Sequence, residues 1–342
     1  MKSNPSSDAS LRRLSLFPES RGFCLSKPWK GIALRRISTI SLVLLVFSFV
    51  VRADDNQDAL LCESYEAEAI ARVAACSRLI DSGRWSGDRL AGFWYHRGVG
   101  NANLGKVDLA IADTGEAIRL KPDFIGAFLK RGVYFRHLGQ RDHALSDFDE
   151  AVRRDPSNAL ALYIRGNFLV ESKDFDGAIK DFSDALDLAP GNEEIKNDRA
   201  VAYLKSGQLD RALEEFNQLI RRNPNHAMAH GNRGGIYMTR GNPERAIKDF
   251  DEANRLDPKY ATAFNNRGQA HGALGQFDRA FADFDEAIRL NPNYAEAYAN
   301  RGLHFDVNGK REKAQFDLKK AFDLGLRHPL VLRKLKDYGA LP

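Results

Sequence analysis

The sequence predicts an all-α protein, a solenoid of stacked helix–turn–helix units. Three regularities predict it. Six prolines recur every 34 residues, at Pro122, Pro156, Pro190, Pro224, Pro258 and Pro292. Small residues hold fixed places between those prolines, and one arginine and one acid recur once per period. A fixed period of this length marks repeats that bury their apolar faces only against their neighbours. Such an array offers a long concave surface and no closed active-site pocket. It suits binding and leaves no room for a catalytic domain.

The chain has 342 residues, 43% hydrophobic and 28% charged, an ordinary composition for a folded protein. Its net charge of +5 is unevenly placed. Residues 1–53 hold nine basic and two acidic side chains, so the rest holds 42 basic and 44 acidic. A near-neutral body of mixed sign argues against an electrostatic nucleic-acid surface.

Residues 1–53 have the pattern of a targeting segment. Arg35 and Arg36 precede the uncharged run ISTISLVLLVFSFVV over 37–51, and Val51-Arg52-Ala53 leads into Asp54-Asp55. A basic start, a short apolar run and small residues at −3 and −1 describe a secretory signal cleaved after Ala53. The run is short for a membrane span, which takes about 20 residues. Retention of 37–51 as an inner-membrane anchor is the alternative. Arg35-Arg36 lacks the rest of a twin-arginine signal, and Ala59-Leu60-Leu61-Cys62 lies too far from the apolar run for a lipoprotein box. A periplasmic or secreted location follows. Cys24 would leave with the signal. Cys62 and Cys76, 14 residues apart, then predict a disulfide that staples a helical hairpin. Two buried thiols are the alternative, and no further ligand nearby suggests zinc. Residues 54–90 form an atypical N-terminal helical cap in this scheme.

Seven units of 34 residues fill 91–328, numbered so that the proline is position 32. Position 8 is Gly98, Gly132, Gly166, Ala200, Gly234, Gly268 and Gly302; position 20 is alanine throughout. Position 24 is Phe148, Phe182, Phe216, Phe250 and Phe284, and position 27 is alanine except at Leu219. Small residues facing large rings let two helices interdigitate. Glycine at position 15 (Gly105, Gly139, Gly207, Gly241, Gly275, Gly309) predicts a helix C-terminus. The acid at position 18 predicts an N-terminal cap for the next helix. Helix A should cover positions 2–14 and helix B positions 18–31, stopped by the proline. Residues 329–342 should cap the C-terminal end.

Position 7 is arginine in every unit: Arg97, Arg131, Arg165, Arg199, Arg233, Arg267 and Arg301. Position 23 is acidic in every unit: Asp113, Asp147, Asp181, Glu215, Asp249, Asp283 and Asp317. The two positions are equidistant from the turn and should face each other, within a repeat or onto the next. One acid per arginine favours structural ion pairs over a basic ladder for an anionic polymer.

The pattern of an aromatic at position 4 (Trp94, Phe128, Phe264, Tyr298), Gly at 8, Ala at 20, Phe at 24, Ala at 27 and Pro at 32 resembles the tetratricopeptide repeat over 91–328. The unit 193–226 departs most, with Lys196 at position 4 and Ala200 at position 8. The resemblance implies a right-handed superhelix whose groove is lined by helix A near positions 2, 5, 9, 12 and 13. Here those are Tyr95, Val99 and Asn103, then Leu129, Val133, Arg136 and His137. Tyr163, Asn167 and Val170 follow, then Asn197, Val201, Leu204 and Lys205. The C-terminal half adds Met238, Asn265, Gln269, Leu303 and Asp306. Apolar and aromatic groups with scattered amides suit an extended peptide or a partner helix. Some members of that family grip a peptide's terminal carboxylate with Lys or Arg at position 5, which is missing here. The segment Ala74-Ala75-Cys76-Ser77-Arg78-Leu79-Ile80 before such repeats looks like a group of exported bacterial repeat proteins.

No catalytic constellation appears. His226 and His230 lie four apart, but one falls in a loop, the other takes an aromatic slot, and no third ligand is evident, so no metal is expected. Paired acids such as Asp149-Glu150 form a solvated face of helix B. No cofactor, nucleic acid or small-molecule substrate is expected. The predicted function is a non-enzymatic scaffold in the cell envelope that binds a peptide or helix of another protein. A membrane-anchored assembly factor and, further off, a polysaccharide-binding module are the alternatives. Self-association through an end of the array is left open.

Overall fold

The computed structural model describes residues 55–341. The predicted signal, Cys24 and the alternative anchor over 37–51 lie outside the described residues. The chain divides into units 1–56 and 57–342, and the second is the helical array. Among the described residues every regular element is a helix. Two helices, α1 over 55–63 and α2 Ala69–Asp81, precede the repeats. The seven A helices are α3 Gly87–Asn103, α5 Ile125–His137, α7 Ala159–Glu171, α9 Glu193–Lys205, α11 Ala227–Thr239, α13 Ala261–Ala273 and α15 Ala295–Val307. The B helices between them are α4 Val107–Leu120, α6 Arg141–Arg154, α8 Phe175–Leu188, α10 Leu209–Arg222, α12 Pro243–Leu256, α14 Phe277–Leu290 and α16 Arg311–Asp323. A last helix, α17, covers Pro329–Asp337.

The elements run one position earlier than the sequence suggests: most A helices cover positions 1–13 and B helices 17–30. The A-to-B turn explains the shift. The glycine at position 15 takes a left-handed φ, from 68° at Gly241 to 80° at Gly207. The next N–H then bonds back to the carbonyl of position 11, as Gln140 does to Phe135 at 2.9 Å. The third unit makes the same turn with Lys173 at φ 64°, the only non-glycine with positive φ among the described residues.

The acids at position 18 do not cap. They sit inside the first turn of helix B, where they meet the helix dipole. The cap position is 16, and only Asp174 and Asn242 there accept a backbone N–H. Helix A is capped in three units, by Asn158, Asn192 and His226.

Position 8 is small because the position-24 ring lies on it. A Cβ on Gly132 would stand 2.6 Å from the Phe148 ring, and one on Gly234 2.7 Å from Phe250. Both rings are fully buried. Each unit's core runs into the next: Ile118 at position 28 packs into the Phe148 cluster, and Val152 into the Phe182 cluster.

The ends are closed differently. Cys62 and Cys76 form a disulfide between α1 and α2, packed against Leu79 and Phe93. Arg72, 1% exposed, donates to the Ser64 carbonyl at 3.0 and 2.6 Å and ties down the intervening loop. The first repeat begins early, at Gly87, so the cap ends sooner than residue 90. At the other end Val331 and Leu335 of α17 bury Leu318 and Ala321. No helix among the described residues is long and apolar enough to cross a membrane.

Candidate interaction groove

Each A helix packs on its own B helix and also on the next A helix; successive B helices have no comparable contact. The A side is therefore the shorter, inner side of the array. Two devices hold it there, the arginine ladder and the seam between A helices.

Each arginine pairs with the acid of its own unit. Arg97–Asp113 is 2.8 Å, Arg131–Asp147 2.7 Å, Arg165–Asp181 2.7 Å and Arg199–Glu215 2.5 Å. Arg233–Asp249 and Arg267–Asp283 are each 2.6 Å, and Arg301–Asp317 is 2.7 Å. The acids are nearly buried and the guanidiniums partly so. Six pairs are two-pronged, Nε and Nη2 onto the two carboxylate oxygens. The longer Glu215 takes both bonds on one oxygen and leaves the other unpartnered. Several arginines also reach the preceding B helix: Arg165 to Asp149, Arg267 to Asp251, Arg233 to Asn217. The ladder thus stitches three helices. At Asp249 burial pushes the carboxyl up, but the bonds from Arg233 and His230 outweigh that and hold it below the usual carboxylate range.

The predicted groove residues separate into three groups. Tyr95, Val99, Leu129, Asn197 and Asn265 are at most 8% exposed and lie beneath the surface, between neighbouring helices. They shape the groove and are not offered to a partner. Val133, Arg136, Tyr163, Asn167, Val170, Val201, Met238 and Gln269 are half-buried on it, as are Leu204, Leu303 and Asp306. Asn103, His137 and Lys205 are exposed near its rim. Arg136 is engaged with Glu171 at 3.3 Å, and Asp306 with Lys334 at 2.6 Å.

The sequence reading missed the neighbouring position 6: His96, Lys130, Ile164, Asp198, Asn232, Asn266 and Asn300, all half-buried. These residues lie on the seam between successive A helices. The Tyr163 hydroxyl donates to Asp198 at 2.8 Å, and Asn300 donates to Asn265 at 3.0 Å. Asn265 in turn donates to Asn266 at 3.1 Å. Burial pushes the Lys130 ammonium down, and burial, then Arg72 and Arg89, push His96 down to about 4. A column polar at six of seven repeats was visible in the aligned units and is the signal that was available.

The histidines serve structure. His226 caps α11, accepting the Ala229 N–H at 3.2 Å, and His230 bonds the Pro224 carbonyl at 3.0 Å. Among the described residues no group of three potential ligands is placed to hold a metal.

An inner face built from one helix of each repeated pair defines a helical-repeat scaffold. The chain matches models of the tetratricopeptide repeat over residues 129–193 and 197–261, and again over 261–294. It is a tetratricopeptide-repeat protein. Among solved structures, a tetratricopeptide repeat protein from Parabacteroides merdae aligns with TM-score 0.64 at 20% identity, over 72% of this chain and 97% of that one. The Cut9–Hcn1 hetero-tetramer of the APC/C aligns with TM-score 0.60 at 16% identity, over 80% and 53%. Yeast Tom70 aligns with TM-score 0.53 at 18% identity, over 84% and 62%. At these identities the likeness is one of fold. No curated protein sequence matches the chain. The repeats make the molecule a protein–protein interaction scaffold.

Proposed function

We propose that this scaffold is exported to the cell envelope and holds an extended segment of a partner protein along the A-helix groove. The observation that carries the reading is the position-6 column. Seven half-buried side chains follow one another at the repeat spacing, a neutral imidazole at His96, basic at Lys130, apolar at Ile164, acidic at Asp198, then three amides. Three amides in series both donate and accept, which matches the main chain of an extended peptide. The half-buried Tyr163, Val133 and Met238 beside them supply apolar anchors. Export is supported by the Cys62–Cys76 disulfide, a bond of oxidising compartments, and by the signal-like segment.

Two measurements test this. Capture of partners from envelope extract should fail for Asn232→Ala with Asn266→Ala, while the variant keeps its helical content. Capture unchanged by that pair would refute the groove. Intact mass from the host should begin at Asp54 and rise by two hydrogens on reduction. A mass that retains residues 1–53 with free thiols would refute export.

A further inference from the structure

Asp198, half-buried, differs from the buried acids of the array. Those at position 23 each hold an arginine; Asp198 faces the groove and has no cation in bonding contact. Its Oδ2 accepts the Tyr163 hydroxyl at 2.8 Å and its Oδ1 the Asn197 amide at 3.2 Å. Two neutral donors leave lone pairs on both oxygens. Burial pushes the carboxyl up, Tyr163 and Asn197 pull it down, and nearby Glu194 pushes it up again.

A second observation comes from Asn197. It is 5% exposed, its Nδ2 points at Asp198, and its Oδ1 has no hydrogen-bond partner. The carboxylate settles which end of that amide faces it, since an oxygen there would meet an oxygen. The half-buried carboxylate therefore has no cation, and the amide that holds it from beneath is itself only half satisfied. The carboxylate calls for N–H donors.

The nearby cations that could neutralise this corner are turned elsewhere. Lys196 reaches across to Gln218 at 3.2 Å, and Arg199 is committed to Glu215 and Ser183. Lys205, two turns along, is exposed and is the weakest of the influences on Asp198. The half-buried Tyr163 of the preceding A helix stands beside the carboxylate.

We propose that Asp198 and Tyr163 form a specificity subsite for an arginine side chain of the bound partner, with Asn197 holding the carboxylate from beneath. A guanidinium is planar, weakly hydrated and rich in donors, so it bonds the carboxylate in two prongs and lies against the tyrosine ring. An ammonium stays better hydrated and fits such a corner less well. The position follows from the fourth unit, which alone of the seven carries an acid at position 6.

The assignment rests on the reading that the groove holds an extended peptide. The test uses mature protein purified from its host, with labelled asparagine side chains observed by NMR. The probes are the nonapeptide Ac-Gly-Ala-Val-Asn-Arg-Asn-Val-Ala-Gly-amide and its citrulline and lysine counterparts. The arginine peptide should shift the Asn197 side-chain amide, bind at least about tenfold tighter than the citrulline peptide, and lose that advantage in Asp198→Asn. That variant keeps an acceptor for Tyr163, and the unshifted spectrum of its remaining amides checks its fold. Equal shifts from citrulline or lysine, or an undiminished response in Asp198→Asn, overturn the subsite. Shifts confined to Asn232, Asn266 and Asn300 overturn it and leave the groove standing. No shift at any of these amides overturns both.

Discussion

Asn254 occupies position 28 of helix B, where the other units carry Ile118, Val152, Leu186, Ile220, Ile288 and Phe322. That position reaches into the core of the following repeat. Asn254 is 7% exposed, and neither its Nδ2 nor its Oδ1 has a partner. Each unmet buried group costs about 1–3 kcal/mol. Asn254→Ile removes both and extends apolar contact with the sixth repeat, against some strain from the added branch. The expected gain is about 2–4 kcal/mol. Repeat arrays unfold by segments, so the readout is hydrogen exchange of α12 and α13 alongside urea unfolding. Slower exchange localised to those helices is expected. Unchanged or faster exchange would refute the reasoning and mean that the amide is satisfied by a bound water.

Further outcomes follow from other sites. Lys173→Gly relieves the left-handed φ and should stabilise by about 1 kcal/mol, seen as a higher urea midpoint; a lower midpoint would count against it. Arg233→Ala leaves the Asp249 carboxylate with only His230 at 3.4 Å, so it should cost roughly 3 kcal/mol and lower the melting temperature before it affects binding. Unchanged melting with lost binding would instead make the arginine a contact. His96 stays neutral in the fold down to about 4, whereas the unfolded chain protonates it near 6.5. The unfolded state binds the extra proton, so stability is full above about pH 6.5 and falls by roughly 3 kcal/mol on acidification toward pH 4. Urea midpoints at pH 7.5 and 4.5 should diverge in the wild type and converge in His96→Gln.

The period was legible because prolines, glycines and small residues answer local demands: a helix stop, a left-handed turn, a ring laid on a backbone. Arg233 and Asp249 were legible as partners for the same reason, being equidistant from one turn. The extra reach of Arg233 to Asn217 of the previous unit was not, because it depends on how far successive B helices splay. The groove was half legible. Tyr95 and Asn265 have the right chemistry and register, yet the close approach of neighbouring A helices covers them. That same approach brings position 6 to the surface, which explains why Asp198 and the asparagines escaped the family's positional rule. The cap at position 18 failed because the glycine turn ends one residue sooner.

The two ends of the array also differ in how they can come apart. The Cys62–Cys76 bond is covalent and sits under Leu79 and Phe93, so the first hairpin stays closed while oxidised. The opposite end is held by one nine-residue helix, through Val331, Leu335 and the Asp306–Lys334 pair. Neighbour-only stability lets such an array peel from whichever end is looser. Wear on this protein therefore has a direction. A protease that waits for local opening takes α17 first and advances toward the N-terminus, and the last fragment to survive carries the staple.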